Sequence, residues 1–395
     1  MAQHSLSLNV IRWSMPSVLL LSACALYRLT LASSEVGPVR VTHRRPNVIA
    51  PRYNEPRVAT DEQLHRVLAR VRPRAEQIDT NVIVHALRLW GPEVRFDDPA
   101  WLDGPTMLAY FLDDATYRRL AGDDAPPLFE MVPDGLRTRL RRSDGLRPRL
   151  AAVHEDDLLA TLAECGVPLD TPLVTRDGTY QVADLLEGSM RRFHRTQQEY
   201  EWTAISFARY LFPTSRWHNR FGEPLDVREM VAELVEQSPP AGVCAGTHRL
   251  EALVVLNRAD EASGALPRAT RRNILKHLGR ISATLQQTQA TEGSWDRWWA
   301  GGRPTEDSPE DRSLYTKILV TGHQLEWLAF APPEVQPPRE NIVRAGQWLV
   351  RAMLEIEDRQ LQEHFGPLSH AARALCLWRG KEPADMWREL EQNGN

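Results

Sequence analysis

His323-Gln-Leu-Glu326-Trp-Leu decides the fold, because the same arrangement recurs six times along the chain. Each copy begins with His, or once with Gln, carries a charge three positions later and continues with apolar side chains. Residues three apart share a face of a helix, so each copy predicts a helix that aims both polar groups in one direction. The other copies are His85-Ala-Leu-Arg88-Leu-Trp90, His154-Glu-Asp-Asp157-Leu-Leu, Gln198-Glu-Tyr-Glu201-Trp-Thr, His248-Arg-Leu-Glu251-Ala-Leu and His370-Ala-Ala-Arg373-Ala-Leu.

The spacing of the copies predicts the architecture. Successive copies begin 69, 44, 50, 75 and 47 residues apart, and each gap holds a returning helix and two loops. We therefore expect an all-α fold over residues 60–390, an (α/α)6 toroid of alternating inner and outer helices. Thr60-Asp-Glu-Gln63 is a capping-box pattern and predicts the start of this folded unit. The clearest returning helices are 227–237, 269–289 and 340–359, and 173–182 predicts one small hairpin around Asp177-Gly178.

Composition restricts the class of protein. The 395 residues are 42% apolar and 25% charged, as in ordinary globular proteins, and the net charge is −4. A chain this acidic is not expected to bind nucleic acid. The arginines of 136–150 are interpreted as a solvated loop or a loop that contacts an anionic surface. Four cysteines are too few for a disulfide framework, so free thiols are expected.

The N-terminus predicts export. Arg12 precedes an apolar run over 13–27 that is short for a spanning helix but suits a signal peptide. Residues 1–33 are therefore a signal peptide or a membrane anchor, and Leu21-Ser-Ala-Cys24 is typical of a lipidation site. A buried helix of the main domain is the third alternative. The export interpretation implies a periplasmic protein, or one anchored to the membrane and facing away from the cytoplasm. Residues 34–59, with four prolines, are a linker or a wrapping arm.

One segment carries a resemblance to a known family. Gln289-Ala-Thr-Glu-Gly293-Ser-Trp295 follows a predicted outer helix and resembles the QW repeat of squalene and hopene cyclases. In that family the Gln caps a neighbouring helix and the Trp stacks beneath it. Over about 60–380 the chain resembles the α/α-toroid superfamily of terpenoid cyclases and protein prenyltransferases. It also resembles uncharacterised exported bacterial proteins that share Glu201-Trp-Thr and Gly246-Thr-His-Arg-Leu.

The family's catalytic motifs are not present. Cyclases use Asp-x-Asp-Asp, whereas residues 154–157 read His-Glu-Asp-Asp. Prenyltransferases hold zinc with Asp, Cys and His, of which Cys244 and His248 match only two. The resemblance therefore implies a fold and not an activity.

A metal site is one interpretation of the repeated pattern. Gly246-Thr247-His248 predicts a helix start, and residues 321–323 and 369–370 resemble it. If the inner helices run in one direction, their N-termini meet at one mouth of the ring. Imidazoles and a thiol there fit a zinc-type ion. The candidate ligands are Cys244, His248, His323 and His370.

The acids and aromatic residues of the pattern admit two interpretations. As catalytic groups, the carboxylates would serve a carbohydrate hydrolase or lyase; as first-turn acids, each would stabilise its helix by roughly 0.3–1 kcal/mol. The candidate catalytic residues are Asp156, Asp157, Glu201, Glu251 and Glu326. The candidate ligand-binding residues are Arg88, Trp202, Trp298, Trp299, Trp327 and Arg373.

Two reasons select those ligand-binding candidates. Arg88 and Arg373 belong to the first and last copies, which are neighbours in a closed ring. Trp298 and Trp299, with Trp295, follow the QW segment in a loop, where we expect exposed rings. Trp202 and Trp327 are otherwise explained by packing between helices.

Function remains divided between two classes of protein. The first is a non-catalytic protein whose cavity binds a small molecule or glycan, or whose surface is a scaffold. The second is an enzyme of the cavity, either a carbohydrate hydrolase or lyase or a terpenoid cyclase-like enzyme, with or without a metal ion such as zinc.

Overall fold

Helices dominate the structure. The computed structural model describes residues 45–141, 148–197, 199–214, 216–237, 242–301 and 313–394. Helices account for 57% of the described residues and the strands there form only short pairs, so the protein is all-α in class.

The described part contains fifteen α-helices and three antiparallel strand pairs. The helices are α1 Asp61–Arg70, α2 Thr80–Trp90, α3 Gly104–Leu112, α4 Asp114–Ala121, α5 Asp157–Glu164, α6 Val182–Arg192, α7 Glu201–Tyr210, α8 Val227–Glu236, α9 Thr247–Ser263, α10 Arg268–Thr288, α11 Leu314–Phe330, α12 Arg339–Glu355, α13 Asp358–Glu363, α14 Phe365–Trp378 and α15 Pro383–Gly394. The strand pairs are β1 Phe129–Val132 with β2 Gly135–Thr138, β3 Pro172–Thr175 with β4 Gly178–Gln181, and β5 Arg216–His218 with β6 Pro224–Asp226.

The helices are of two kinds. In α10 the buried residues include Ile274, Leu278, Ile281 and Leu285, which form one apolar stripe at helical spacing. In α7, by contrast, all ten residues are buried. A helix that is buried on every side must lie inside the molecule, whereas a one-sided helix lies at its surface.

The helices that carry the six copies contact one another in cyclic order. Helix α2 packs on α5, α5 on α7, α7 on α9, α9 on α11, α11 on α14, and α14 again on α2. We call these six the inner helices. Several one-sided helices pack on them from outside, among them α10 on α9 and α12 on both α11 and α14.

Helices α11 and α14 approach each other closely at Gly322. A Cβ atom added at Gly322 would lie 2.8 Å from the Cα atom of Ala371. Two small residues therefore let the two backbones meet, and any larger side chain at Gly322 would force them apart.

Residues 45–59 lie across the C-terminal ends of the inner helices. The Asn47 amide donates to the Arg209 carbonyl at the end of α7, and the Arg52 amide donates to the Ala329 carbonyl of α11. The Tyr53 hydroxyl donates to the Ala331 carbonyl, and the Glu55 amide to the Trp378 carbonyl at the end of α14. The last carbonyls of a helix have no partner within it, so this segment supplies donors to three helix ends.

Several local predictions are confirmed. Thr60 is the N-cap of α1 and forms a complete capping box with Gln63, as predicted. The predicted helices over 227–237 and 269–289 correspond to α8 and α10, and the predicted hairpin is β3–β4. The prediction for 340–359 is too long, because α12 ends at Glu355 and a separate helix follows. The pairs β1–β2 and β5–β6 were not predicted, since their strands are too short to show alternation.

The expectation that the pattern marks helix starts is wrong for three copies. His85, His323 and His370 lie in the interiors of α2, α11 and α14. Glu326 lies close to the C-terminal end of α11. Glu326 therefore gains nothing from the positive end of its helix. Helix α9 does begin at Thr247, although its N-cap is Gly246 in the left-handed region and makes no side-chain cap.

Residues 1–33, with the predicted export segment and Cys24, lie outside the described residues, as do 34–44 and Gln198. Within the described part, no helix is both long and apolar enough to cross a membrane.

Candidate functional site at the start of the inner helices

An open cavity of about 970 Å³ lies where the first turns of five inner helices meet. His154 and Cys244, which shortly precede α5 and α9, line it together with Glu201, the first residue of α7. Tyr315 and Pro367, from the first turns of α11 and α14, complete this part of the wall. The five helices therefore begin at the same cavity, where their partial positive charges add.

Four buried imidazoles pack together beneath this cavity. They are His85, His248, His323 and His370, one from each of α2, α9, α11 and α14. The ring of His370 lies 5.3 Å from that of His85, 5.1 Å from that of His248 and 4.2 Å from that of His323, measured between centroids. Trp202 of α7 closes the layer, with its ring 4.3 Å from that of His248.

Each imidazole has its Nδ1 atom fixed by a hydrogen bond. In His85 and His323 the partner is the backbone carbonyl four residues earlier, at 2.7 Å in both cases. In His248 and His370 the partner is a carboxylate, Glu251 at 3.1 Å and Glu326 at 2.6 Å respectively. The Nε2 atoms of His323 and His370 are buried and have no hydrogen-bond partner.

Cys244 lies above the imidazoles in an unusual backbone segment. Its φ is 50°, and Ala245 and Gly246 follow with φ of 57° and 78°. Non-glycine residues seldom adopt this left-handed region, and such strain is concentrated at functional sites. The Cys244 thiol and one nitrogen each of His248 and His323 lie within 4.8 Å of one another.

A layer of buried ion pairs occupies the interior below the imidazoles. Arg88 donates to Asp157 at 2.7 Å and to Glu164 at 2.6 Å. Arg373 donates to Glu326 at 2.7 Å and also reaches Glu164 at 3.7 Å. Arg88 and Arg373 thus share Glu164, and the charges of this layer largely satisfy one another.

The burial of the imidazoles and the thiol suppresses their charged forms. Burial lowers the pKa of His85 to about 4 and the pKa of His323 to about 3. Burial and the neighbouring imidazoles lower the pKa of His248 and His370 well below 6.5. Burial, with carboxylates nearby, raises the pKa of the Cys244 thiol to about 12. All five groups are therefore neutral near neutral pH, and Cys244 is not activated as a nucleophile.

The carboxylates of the ion layer differ from one another. Burial raises the pKa of Glu326 to about 7 despite its bonds to Arg373, and burial with two neighbouring acids raises that of Glu251 well above 4.5. Burial also opposes the ionisation of Glu164, but the guanidiniums of Arg373, Arg88 and Arg209 outweigh it and lower the pKa of Glu164. Glu164 is therefore the anion on which the three arginines depend.

The predicted catalytic acids all have partners within the chain. Asp156 accepts hydrogen bonds from Ser189 and Thr203, which ties α6 to α7. Asp157, Glu251 and Glu326 belong to the buried contacts described above. Glu201 accepts from Arg249 at 3.0 Å, yet it also lines the cavity and its Oε2 atom has no partner. Of the five, Glu201 is the one that borders the cavity.

The tryptophans predicted to bind a ligand are mostly packing residues. Trp202 is buried under Arg88, whose guanidinium carbon is 4.4 Å from the ring centroid. Trp327 is buried and donates to Gln324. The expectation of exposed rings is wrong for Trp295 and Trp299, whose indole nitrogens donate to the carbonyls of Leu285 and Ala245. Trp298 is half-buried. None of these rings is among the described residues that line the cavity.

Sequence reasoning missed Glu164 and Arg209, although a signal for one of them existed. Asp157, Thr161 and Glu164 are spaced as i, i+4 and i+7, and so lie on one face of α5. Arg88 donates to all three. Arg209 reaches Glu164 at 3.6 Å from the far end of α7, and no short-range pattern indicates that contact.

Comparison with protein-family models, with curated proteins and with solved structures returned no match to this chain.

Proposed function

We propose that this protein is an exported ligand-binding protein built on an (α/α)6 toroid, with the ligand held in the cavity at the start of the inner helices. The observation that carries the proposal is that side chains fill the space between the inner helices, whereas a cavity remains open where these helices begin. Imidazoles, Trp202 and ion pairs fill the interior, whereas the mouth keeps about 970 Å³ of open volume.

The cyclic order of contacts among the six inner helices supports the toroid. The QW segment adds a second argument, because Gln289 donates to the Asn341 carbonyl in the first turn of the neighbouring helix α12. Asn341 donates back to Gln289, and the Trp295 indole donates to Leu285 at the end of α10. The contact of Gln289 with a neighbouring helix is similar to the role that the resemblance to the cyclases assigns to Gln. Export rests on the sequence of residues 1–33 alone.

The cavity wall favours a small polar ligand with charges of both signs. It contains Arg195 and Arg249 as well as Glu199, Glu201 and Glu233. No tryptophan is among its described residues, so the stacking surface that sugar rings favour is missing from that part of the wall. Because the interior acids are paired with arginines or imidazoles, a pair of free carboxylates for acid and base catalysis is not among the described interior residues.

The test is ligand-induced thermal stabilisation of the full-length protein. We expect a zwitterionic dipeptide such as glycyl-aspartate to raise the melting temperature of the wild type, since a ligand that binds only the folded state stabilises it. Glu233→Gln should lose that increase, because Glu233 lines the cavity. Glu187→Gln, on an exposed ion pair of α6, is the matched control and should keep it.

Three results would contradict the proposal. The first is no stabilisation of the wild type by the dipeptide. The second is equal stabilisation of the Glu233→Gln variant. The third is stabilisation by the neutral trisaccharide maltotriose instead, which would favour a glycan ligand.

A cavity enzyme is the second candidate, and Glu201 is the observation that favours it. Glu201 lines the cavity, and its Oε2 atom is buried without a partner, so this carboxylate is a candidate general base. This candidate predicts hydrolysis of end-labelled oligosaccharides by the wild type. Glu201→Gln should abolish the hydrolysis while the melting curve stays cooperative. Equal product from both proteins, or from neither, would exclude it.

A further inference from the structure

The imidazole layer contains lone pairs that the protein itself does not use. A carbonyl oxygen can only accept a hydrogen bond, so the Nδ1 atom of His323 carries the proton and its Nε2 atom is a bare acceptor. That Nε2 atom is buried and has no partner, and the side chain of His323 is 3% exposed. Buried polar atoms without a partner are rare in folded proteins and call for an explanation.

Hydrogen bonds at Nδ1 hold the rings as they are held in metal sites. An imidazole that binds a metal through one nitrogen usually donates its other N–H group to a carbonyl or a carboxylate, which fixes the orientation of the ring. His323 has a carbonyl in that position and His248 has the Glu251 carboxylate. Both rings are therefore oriented by an outer partner before any ligand arrives.

Cys244 brings a third donor to the same point. Its thiol and the nitrogens of His248 and His323 lie within 4.8 Å of one another. Three such donors around one tetrahedral ion would stand about 3.4–3.6 Å apart, given metal–nitrogen and metal–sulfur distances of about 2.1 and 2.3 Å. A contraction of about 1 Å is within the reach of a side chain on a loop, and Cys244 precedes α9 in such a loop.

We propose that Cys244, His248 and His323 bind one divalent transition-metal ion of the zinc type, and that its fourth coordination position takes the ligand of the cavity. One sulfur and two imidazole donors select such ions over calcium or magnesium. Three protein donors leave one position free, as in sites that bind a substrate. Cys244 also lines the cavity, so the ion would lie at the cavity floor. For the ligand, this inference rests on the proposed function.

His370 is not among the three converging donors, although its ring packs on those of His248 and His323. Its Nδ1 atom is bonded to Glu326, which in turn accepts from Arg373. His370 thus links the imidazole layer to the ion pairs below. The sequence predicted it as a fourth ligand, and the proposal assigns it to the wall of the site.

The test is cobalt binding to the full-length protein after removal of metal with a chelator. We expect one Co(II) per chain, with the visible bands of tetrahedral cobalt and a near-ultraviolet band from thiolate to cobalt. Cys244→Ser should remove the near-ultraviolet band, because its oxygen preserves the shape of the side chain but not the sulfur. Wild-type protein alone tests the stoichiometry, so the result does not depend on a variant that folds.

His85 provides a matched control for His323. Both are buried, and both have Nδ1 bonded at 2.7 Å to the carbonyl four residues earlier, but only His323 belongs to the converging group. We expect His323→Gln to weaken cobalt binding more than about 100-fold, beyond the usual effect of outer partners. His85→Gln should keep the affinity within about tenfold of wild type. Circular dichroism and a melting curve check that each variant is folded.

Three outcomes would overturn the metal site. The first is less than one cobalt per chain in the wild type. The second is stoichiometric cobalt without the thiolate band. The third is equal weakening by the two His variants. If dipeptide stabilisation persists while cobalt does not bind, the metal site fails and the proposed function stands. If cobalt binds as expected and no dipeptide stabilises the holoprotein, the ligand part fails instead.

Discussion

Replacing Glu164 with Gln should strongly destabilise the fold, because three buried arginines depend on this carboxylate. Arg88 would keep Asp157 at 2.7 Å and Arg373 would keep Glu326 at 2.7 Å. Arg209 would keep no carboxylate within 4 Å in the described part, since its contact with Glu164 at 3.6 Å is its one ion pair there. Removing one partner of a buried pair typically costs about 3–5 kcal/mol. We expect Glu164→Gln to reduce the free energy of unfolding by that amount.

The contribution of Glu164 to the free energy of unfolding should decrease as the pH falls. The arginines hold the pKa of Glu164 below its ordinary value of 4.5, so in the wild type its contribution is fully present above pH 4.5. That contribution is lost as the pH falls through the folded-state pKa, because the carboxylate then becomes neutral. The difference between wild type and Glu164→Gln should therefore be largest at neutral pH and should shrink in acid.

The assay is urea-induced unfolding of both proteins at neutral pH and at several values below 4.5. Glu187→Gln is the matched control, because its carboxylate pairs with Arg191 at the surface, where ion pairs contribute about 0–1 kcal/mol. A loss below about 1 kcal/mol for Glu164→Gln at neutral pH would refute the assignment of Glu164 as the shared anion. A difference that does not change with pH would refute the electrostatic cause.

Three further predictions follow from single contacts. Gly322→Ala should lower the free energy of unfolding in urea by about 1–3 kcal/mol, because its Cβ would meet Ala371. Gly279→Ala, at an open helix position, should instead be neutral or raise it by up to about 1 kcal/mol. Gln289→Ala should cost about 1–3 kcal/mol in the same assay through its lost bonds to α12, and an unchanged midpoint would contradict that role. Glu326→Gln should gain stability relative to wild type as the pH rises from 4.5 through about 7, because the folded-state pKa of Glu326 is raised; a flat difference would argue against it.

Local signals predicted much of the helical content. The capping box at Thr60 marks the start of α1, and the apolar stripe of α10 repeats at a helical period that a sequence displays directly. The same signals failed where burial depends on distant partners. The sequence predicted that the rings of Trp295 and Trp299 are exposed in a loop. Both rings are buried, and their indole N–H groups donate hydrogen bonds to backbone carbonyls of α10 and of the loop that contains Cys244.

The sequence likewise identified some residues of the candidate site correctly and assigned others a different role. The repeated pattern identified His248 and His323 as candidates, because it marks equivalent faces of successive helices. Cys244 was a candidate because a thiol shortly before the predicted start of the His248 helix fits a zinc-type ion. The pattern also proposed His370 as a fourth ligand and Arg88 as a ligand-binding residue. The structure instead bonds His370 to Glu326 and places Arg88 between Asp157 and Glu164.

The sequence by itself determined the all-α class, the six copies and the shared helix face of pairs such as His323 and Glu326, since these depend on periodicity within one helix. Only the tertiary structure decided which charges neutralise each other, that Glu164 is shared by three arginines, and that the Nε2 atom of His323 has no partner. Those facts depend on distances of a few ångströms between helices that are far apart in the chain. Packing sets such distances, and no local pattern encodes them.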